Sequence, residues 1–87
     1  MAPTHTQRPT LAELLDARRR LPPPEGRRKI REDANVSRAV VADAVGVTAA
    51  AVGYWESGER EPRPEQLVRY VDVLDTLRDA STAPVAS

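Results

Sequence analysis

Cysteine and phenylalanine are missing from this chain of 87 residues, and histidine occurs once, at His5. Without thiols neither a disulfide framework nor a thiolate metal site can form, and one imidazole in a polar N-terminal stretch cannot build a ligand cluster. No metal and no cofactor are therefore expected. No apolar run approaches the ~20 residues of a membrane span. The opening MAPTHTQRPT also lacks the hydrophobic region of a secretory signal. The expected compartment is the cytoplasm, with no membrane partner. One Trp and two Tyr leave Ala, Val and Leu to form the core of a chain that is 40% hydrophobic. Such a core suits short, closely packed helices. The length allows one small domain. An enzyme is not expected, because no nucleophile is paired with a base, no Gly-rich loop could cradle phosphate, and no small-molecule substrate site is evident.

Charge of either sign is not in excess, with 13 basic and 13 acidic residues. The distribution is uneven, however. Residues 1–34 hold Arg8, Arg18, Arg19, Arg20, Arg27, Arg28, Lys29 and Arg31 against five acids, whereas residues 35–87 carry a deficit of three. A neutral total thus hides a basic end. The run Arg18 to Arg20 reads first as a solvated helix end, near the negative pole of its own dipole.

Punctuation along the chain divides it into about five short helices, an all-α compact bundle. Residues 1–9 read as a flexible leader and residues 80–87 as a flexible tail. Thr10 and Glu13 form a capping-box signature for a leading helix within residues 10–21, in which Leu11, Leu14, Leu15 and Arg18 share a face. Pro22 to Pro24 end it, and Pro24 suits the first position of a helix running to about Ala34. Asn35 fits a left-handed closing position. Ser37 caps a helix over Arg38 to Val45 that Gly46 stops, and Thr48 caps another over Ala49 to Ser57 that Gly58 closes. A last helix runs from Pro64 to about Arg78, with Leu67, Tyr70, Val71, Leu74 and Leu77 on one side.

The segment RAVVADAVGVTAAAVGYWES, from Arg38 to Ser57, has helix-turn-helix spacing. Two helices crossing steeply over a short turn need a small residue at the crossing, a turn residue free to take positive φ, and inward apolar residues from both arms. Ala42, Gly46 four residues later and Val52 six beyond that meet the first requirements, while Val41, Val45, Val47 and Trp55 supply the wedge. Trp55 reads as core rather than as a ligand contact.

With its flanks the segment reads IREDANVSRAVVADAVGVTAAAVGYWESGEREP, and over Arg28 to Leu77 it resembles the lambda-repressor-like, or Xre/Cro-type, helix-turn-helix regulators. The resemblance implies a DNA-binding domain, residues 24–79, with Ala49 to Ser57 as recognition helix in the major groove and Arg38 to Val45 crossing the backbone. It also implies that Arg38, at a position where relatives usually carry Gln, holds a phosphate. Arg60 and Arg63 match positions that in relatives touch phosphates or reach the minor groove, and Arg28 and Lys29 add to the field. Arg31 and Glu56 match a structural ion pair. One departure is plain: relatives place polar residues where this chain has Ala49, Ala50 and Ala51. The presumed DNA-facing surface of Thr48, Ala49, Ala50, Gly53, Tyr54 and Ser57 then offers methyl contacts to thymine, hydrogen bonds from Thr48 and Tyr54, and shape readout. Gly53, costly within a helix, suits close approach to DNA.

Two functional readings stand. The first is a sequence-specific, nucleoid-associated DNA-binding regulator, phage repressor-like or Xre-like, that occupies an operator on double-stranded DNA. The second is a protein-interaction module or antitoxin-like partner of a larger protein that docks through the bare alanine face. On the first reading a weak homodimer forms on DNA. Its expected contact is the last helix, where Val68 and Val73 extend the apolar stripe, while the leading helix packs on its own domain.

Overall fold

The computed structural model describes residues 8–82; His5, most of the leader and residues 83–87 of the tail lie outside the described residues. Five helices follow one another: α1 (Leu11–Arg20), α2 (Pro24–Asp33), α3 (Arg38–Val45), α4 (Ala49–Ser57) and α5 (Pro64–Thr82). Among the described residues there is no strand. Each boundary has a local cause. The Thr10 hydroxyl accepts from the Glu13 amide while the Glu13 carboxylate accepts from the Thr10 amide, a complete capping box. Pro24 occupies the first turn of α2, where its missing N–H leaves no bond unmade. Asn35, at φ 64°, closes α2 in a Schellman arrangement: its amide donates to the Glu32 carbonyl, and the Val36 amide donates to the Arg31 carbonyl. Gly46 at φ 89° and Gly58 at φ 84° end α3 and α4 in the left-handed conformation that favours glycine. The last helix continues past Arg78 to Thr82, because Ala80, Ser81 and Thr82 contain no breaker and the first one in the sequence is Pro84.

The core is continuous across the helix-turn-helix. Val41, Ala42 and Val45 of α3 meet Val52 and Trp55 of α4 over Tyr70 and Leu74 of α5. Ala42 is only 3% exposed, so a methyl is all the crossing accommodates. The Trp55 and Tyr70 rings lie 4.7 Å apart and tilted by 52°, an edge-inclined pair that fills the volume a phenylalanine-free chain would otherwise lack.

A second cluster attaches α1: Ala17 packs on Leu67 and Val71, with Leu14, Leu21 and Val68 around it. This corrects the face expected for the leading helix. Its contact stripe is Leu14, Ala17 and Leu21, and Leu11 and Leu15 stand in solvent at 72% and 53% exposure. The small Ala17 side chain lets the two helix backbones approach, and Arg20 fixes the rotation by reaching Asp72 and Asp75 of α5 as well as Asp16 of its own helix. Val68 is partly covered by α1 and Val73 is partly packed against the main core, which leaves less of each for a dimer contact than the sequence alone suggests.

Charged side chains fasten the remaining helices. Glu56, buried at the end of α4, receives two hydrogen bonds from Arg31 of α2, at 2.6 and 3.0 Å, and one from Arg38 of α3 at 3.2 Å. Arg31 also donates to the Val36 carbonyl, and its hydrogen bond to Glu56 holds its guanidinium above the ordinary pKa. Arg27, itself buried, donates to the carbonyls of Pro22 and Trp55 and pairs with Glu61. Arg69 of α5 donates to the Val45 carbonyl, so cations sit at the negative ends of both motif helices.

Two stability outcomes follow. Glu56→Ala leaves the nearly buried Arg31 charge without its carboxylate and is expected to cost about 3 kcal/mol or more in denaturant unfolding. Arg38→Ala, which removes a half-exposed partner and keeps the Arg31–Glu56 fork, is expected to cost less than about 1 kcal/mol. The Tyr70 hydroxyl is buried and has no hydrogen-bond partner among the described residues, and burial pushes its pKa from 10.0 up to about 12. A folded-state value above the unfolded one means stability that is complete below pH 10 and lost as pH rises toward 12. Tyr70→Phe is expected to leave neutral-pH stability unchanged or raised by about 1 kcal/mol, and to reduce the loss over that alkaline interval, in parallel urea titrations.

Candidate nucleic-acid interface

The outer face of α4 is built by what its inner face must do. Val52, Trp55 and Glu56 turn inward to the core and the Arg31 fork, and Ala51 packs at the core edge. Helical periodicity then turns Ala49, Ala50, Gly53, Tyr54 and Ser57 the other way. Ala49, Ala50, Tyr54 and Ser57 are exposed, and Gly53 is half-buried. Thr48 precedes them as N-cap, its hydroxyl oxygen accepting from the Ala51 amide at 3.1 Å. The hydroxyl proton stays available as a donor.

Gly53 lies under the side chain of Arg38. A methyl added there would meet Arg38 Cδ at 3.9 Å and Nε at 4.0 Å, ordinary van der Waals contact, and its φ is not positive. Neither backbone strain nor crowding within the domain therefore requires glycine at this position.

The C-terminal turn folds back on the same face. Ser57 Oγ lies 3.1 Å from the Tyr54 carbonyl and accepts from the Glu59 amide at 3.3 Å, so its polar capacity is engaged in the turn. The Arg60 amide donates to the Tyr54 carbonyl, and the Arg60 guanidinium lies over the Tyr54 ring, 4.5 Å from its centroid. Arg60 lies in the loop after α4, and the left-handed Gly58 is the sequence feature that folds it back toward Tyr54.

The cations named from the sequence fall into distinct groups. Arg28 pairs with Glu32 at 2.9 Å and Lys29 with Asp33 at 3.0 Å, one turn away on the surface of α2. Their charge is largely offset locally, and the hydrogen bond from Arg28 holds the Glu32 carboxyl below its usual range. Arg38 is 48% exposed and spends its Nε on Glu56, and the charge of Glu32 also lies within its field. Arg60 and Arg63 have no carboxylate partner among the described residues and flank the end of α4 and the start of α5. Arg27 was missed. A basic run reads as solvated, yet Arg27 shares the inward face of α2 with Ile30, Arg31 and Ala34, a spacing that marks it as a staple.

Among the described residues no group of His, Cys, Asp or Glu could hold a metal ion, and no helix is long and apolar enough to cross a membrane. What the arrangement offers is a low-relief helix face with a bordering set of guanidinium groups.

No curated protein and no solved structure matches the chain. A family model described as helix-turn-helix matches residues 28–79, from within α2 to near the end of α5, leaving α1 outside the matched region. The crossing at Ala42, the left-handed Gly46 and the cap at Thr48 all lie within that span. The chain belongs to the lambda-repressor-like, Xre-type helix-turn-helix family.

Proposed function

We propose that this protein is a sequence-specific regulator of transcription that occupies operator DNA with α4 in the major groove. One observation carries the reading: the solvent-facing side of α4 itself bears no acidic side chain, Arg38 lies beside Gly53 and Arg60 over Tyr54 on that side, and Arg60 has no carboxylate partner among the described residues, the neighbouring Glu59 being turned to Ser57. A surface built to meet only a neutral protein partner has no use for unneutralised guanidinium groups at its border. Family membership supports DNA binding in general. Blocking or recruiting polymerase, and residence on the nucleoid within the cytoplasm, extend that reading.

Thr48 and Tyr54 supply hydrogen bonds, Ala49 and Ala50 meet thymine methyls, and the bare backbone at Gly53 lets α4 seat deeply. Arg38 and Arg63 neutralise phosphates on either side. Because Glu56 holds Arg38 from behind, a phosphate bound by its terminal nitrogens is tied through Glu56 to Arg31 and α2. A single unit of this size buries limited area on DNA, so binding by a weak homodimer to a two-fold operator is part of the proposal. With Val68 partly covered, the contact moves to exposed apolar surface, either at Val40 beside Val73 and Leu77 or at Leu11 and Leu15.

Equilibrium titration of duplex DNA over a range of salt tests the phosphate contacts. Arg63→Ala and Arg38→Ala are each expected to weaken binding to all sequences alike and to lower the slope of log K against log salt by about one. Wild-type slopes in both variants would reject the assigned contacts. Gly53→Ala separates recognition from folding: stability is expected to rise by up to about 1 kcal/mol while operator affinity falls. A variant both more stable and equally tight would show that close backbone approach is not used.

A further inference from the structure

The alanine-rich face leaves a specificity problem. Methyl contacts distinguish thymine, but they cannot read the acceptor pair on a guanine edge. Guanine O6 and N7 need two coplanar donors, which an arginine fork supplies. We propose that Arg60, stacked on Tyr54, is the guanine reader of this interface, acting in the major groove beside α4 rather than as a phosphate contact. This inference rests on the DNA-binding reading above and adds to it the base that the operator must contain.

The geometry supports it in three ways. First, Arg60 belongs to the α4 face by construction. Gly58 at φ 84° reverses the chain, the Ser57 hydroxyl accepts from the Glu59 amide, and the Arg60 amide donates to the Tyr54 carbonyl at 3.3 Å. The side chain then returns over the Tyr54 ring at 4.5 Å. A residue so fastened shares whatever groove Tyr54 enters.

Second, the Arg60 guanidinium is held over the ring by a cation–π contact, and among the described residues its N–H groups make no hydrogen bond, so its donors are unspent. Arg27 and Arg31 have theirs committed to carbonyls and carboxylates, and Arg38 gives Nε to Glu56. Arg60 has no carboxylate partner among the described residues, and the two acids that flank it are engaged elsewhere: Glu59 has an oxygen 3.3 Å from Ser57 Oγ and Glu61 pairs with Arg27. Third, Tyr54 is 38% exposed with the guanidinium already over its ring, so the pair is assembled at the surface before DNA arrives. Ordering the fork in advance removes part of the entropic cost of bidentate binding. A phosphate contact requires no such ordering, because charge alone attracts the backbone.

Selection from a random duplex library, followed by titration of the selected operator, tests the assignment. Wild type is expected to select a guanine at one fixed position of each half-site. Arg60→Ala should lose preference at that position alone, by about tenfold or more over adenine, with the rest of the motif kept. Arg60→Lys, which retains charge without the fork, should lose it too, while Tyr54→Phe, which gives up the hydroxyl's own hydrogen bond and some affinity, should still select the guanine, and Tyr54→Leu, which removes the ring, should weaken that selection. Replacing that guanine by 7-deazaguanine should weaken wild type and leave Arg60→Ala unaffected. Uniform loss on every sequence by Arg60→Ala, with the motif unchanged, would make Arg60 a backbone contact and overturn the proposal while leaving DNA binding intact. A wild-type protein that retains no duplex at low salt would instead overturn the DNA-binding reading, and this proposal with it.

Discussion

The carboxylate of Glu56 is the constraint on which the working geometry depends. It is buried at the end of α4 and held by a two-bond fork from Arg31 and a third bond from Arg38. Three helices therefore meet at one charged group, and the direction in which α4 presents its outer face is set relative to both α2 and α3. Hydrophobic contacts among Val41, Ala42, Val52 and Trp55 hold the crossing together but are non-directional and tolerate small rotations. A buried bidentate pair does not tolerate them, since rotating α4 would leave a desolvated charge without its partner. The outer face of α4 is thus oriented by a polar interaction and supported by an apolar one.

The same division of labour explains how a chain with no net charge presents a basic border. Most cations are spent internally: Arg20 on three α5-side and α1 aspartates, Arg27 and Arg69 on helix-end carbonyls, Arg28 and Lys29 on carboxylates one turn away. Among the described residues, Arg60 and Arg63, in the loop that Gly58 turns back, have no carboxylate partner. Local field, not total charge, then governs the encounter with an anionic partner. The leading helix stands outside this arrangement. It covers Leu67, Val71 and Val68 of α5, completing a core that has no phenylalanine, and lies outside the family match.

Much of the architecture is legible in the sequence because its signals are local. Caps at Thr10, Ser37 and Thr48, the stops at Asn35, Gly46 and Gly58, and the small residue at Ala42 each act within a turn or two of the chain. The meeting of Arg31 with Glu56 was accessible through family resemblance, not through spacing. What escaped depends on distant parts of the chain. The rotation of α1 is decided by aspartates more than fifty residues away, on α5, so the apolar face of Leu11 and Leu15 misled. The spacing of Arg27 with Ile30, Arg31 and Ala34 turns it inward, but its acceptor, the Trp55 carbonyl, lies 28 residues away and is not legible locally. The Tyr54–Arg60 stack depends on a turn whose residues are individually unremarkable, and only the reversal at Gly58 brings the ring and the guanidinium together.

Amide hydrogen exchange with and without duplex DNA is the most direct test of the account, because it reports on every element in one experiment. Added DNA is predicted to slow exchange from Thr48 through Arg63 and at the start of α3, and to leave the outward face of α1 around Leu11 and Leu15 unchanged apart from any protection shared between two copies. Protection confined to α1, or none at any duplex concentration at low salt, would contradict the assignment of α4 and its arginine border as the nucleic-acid interface.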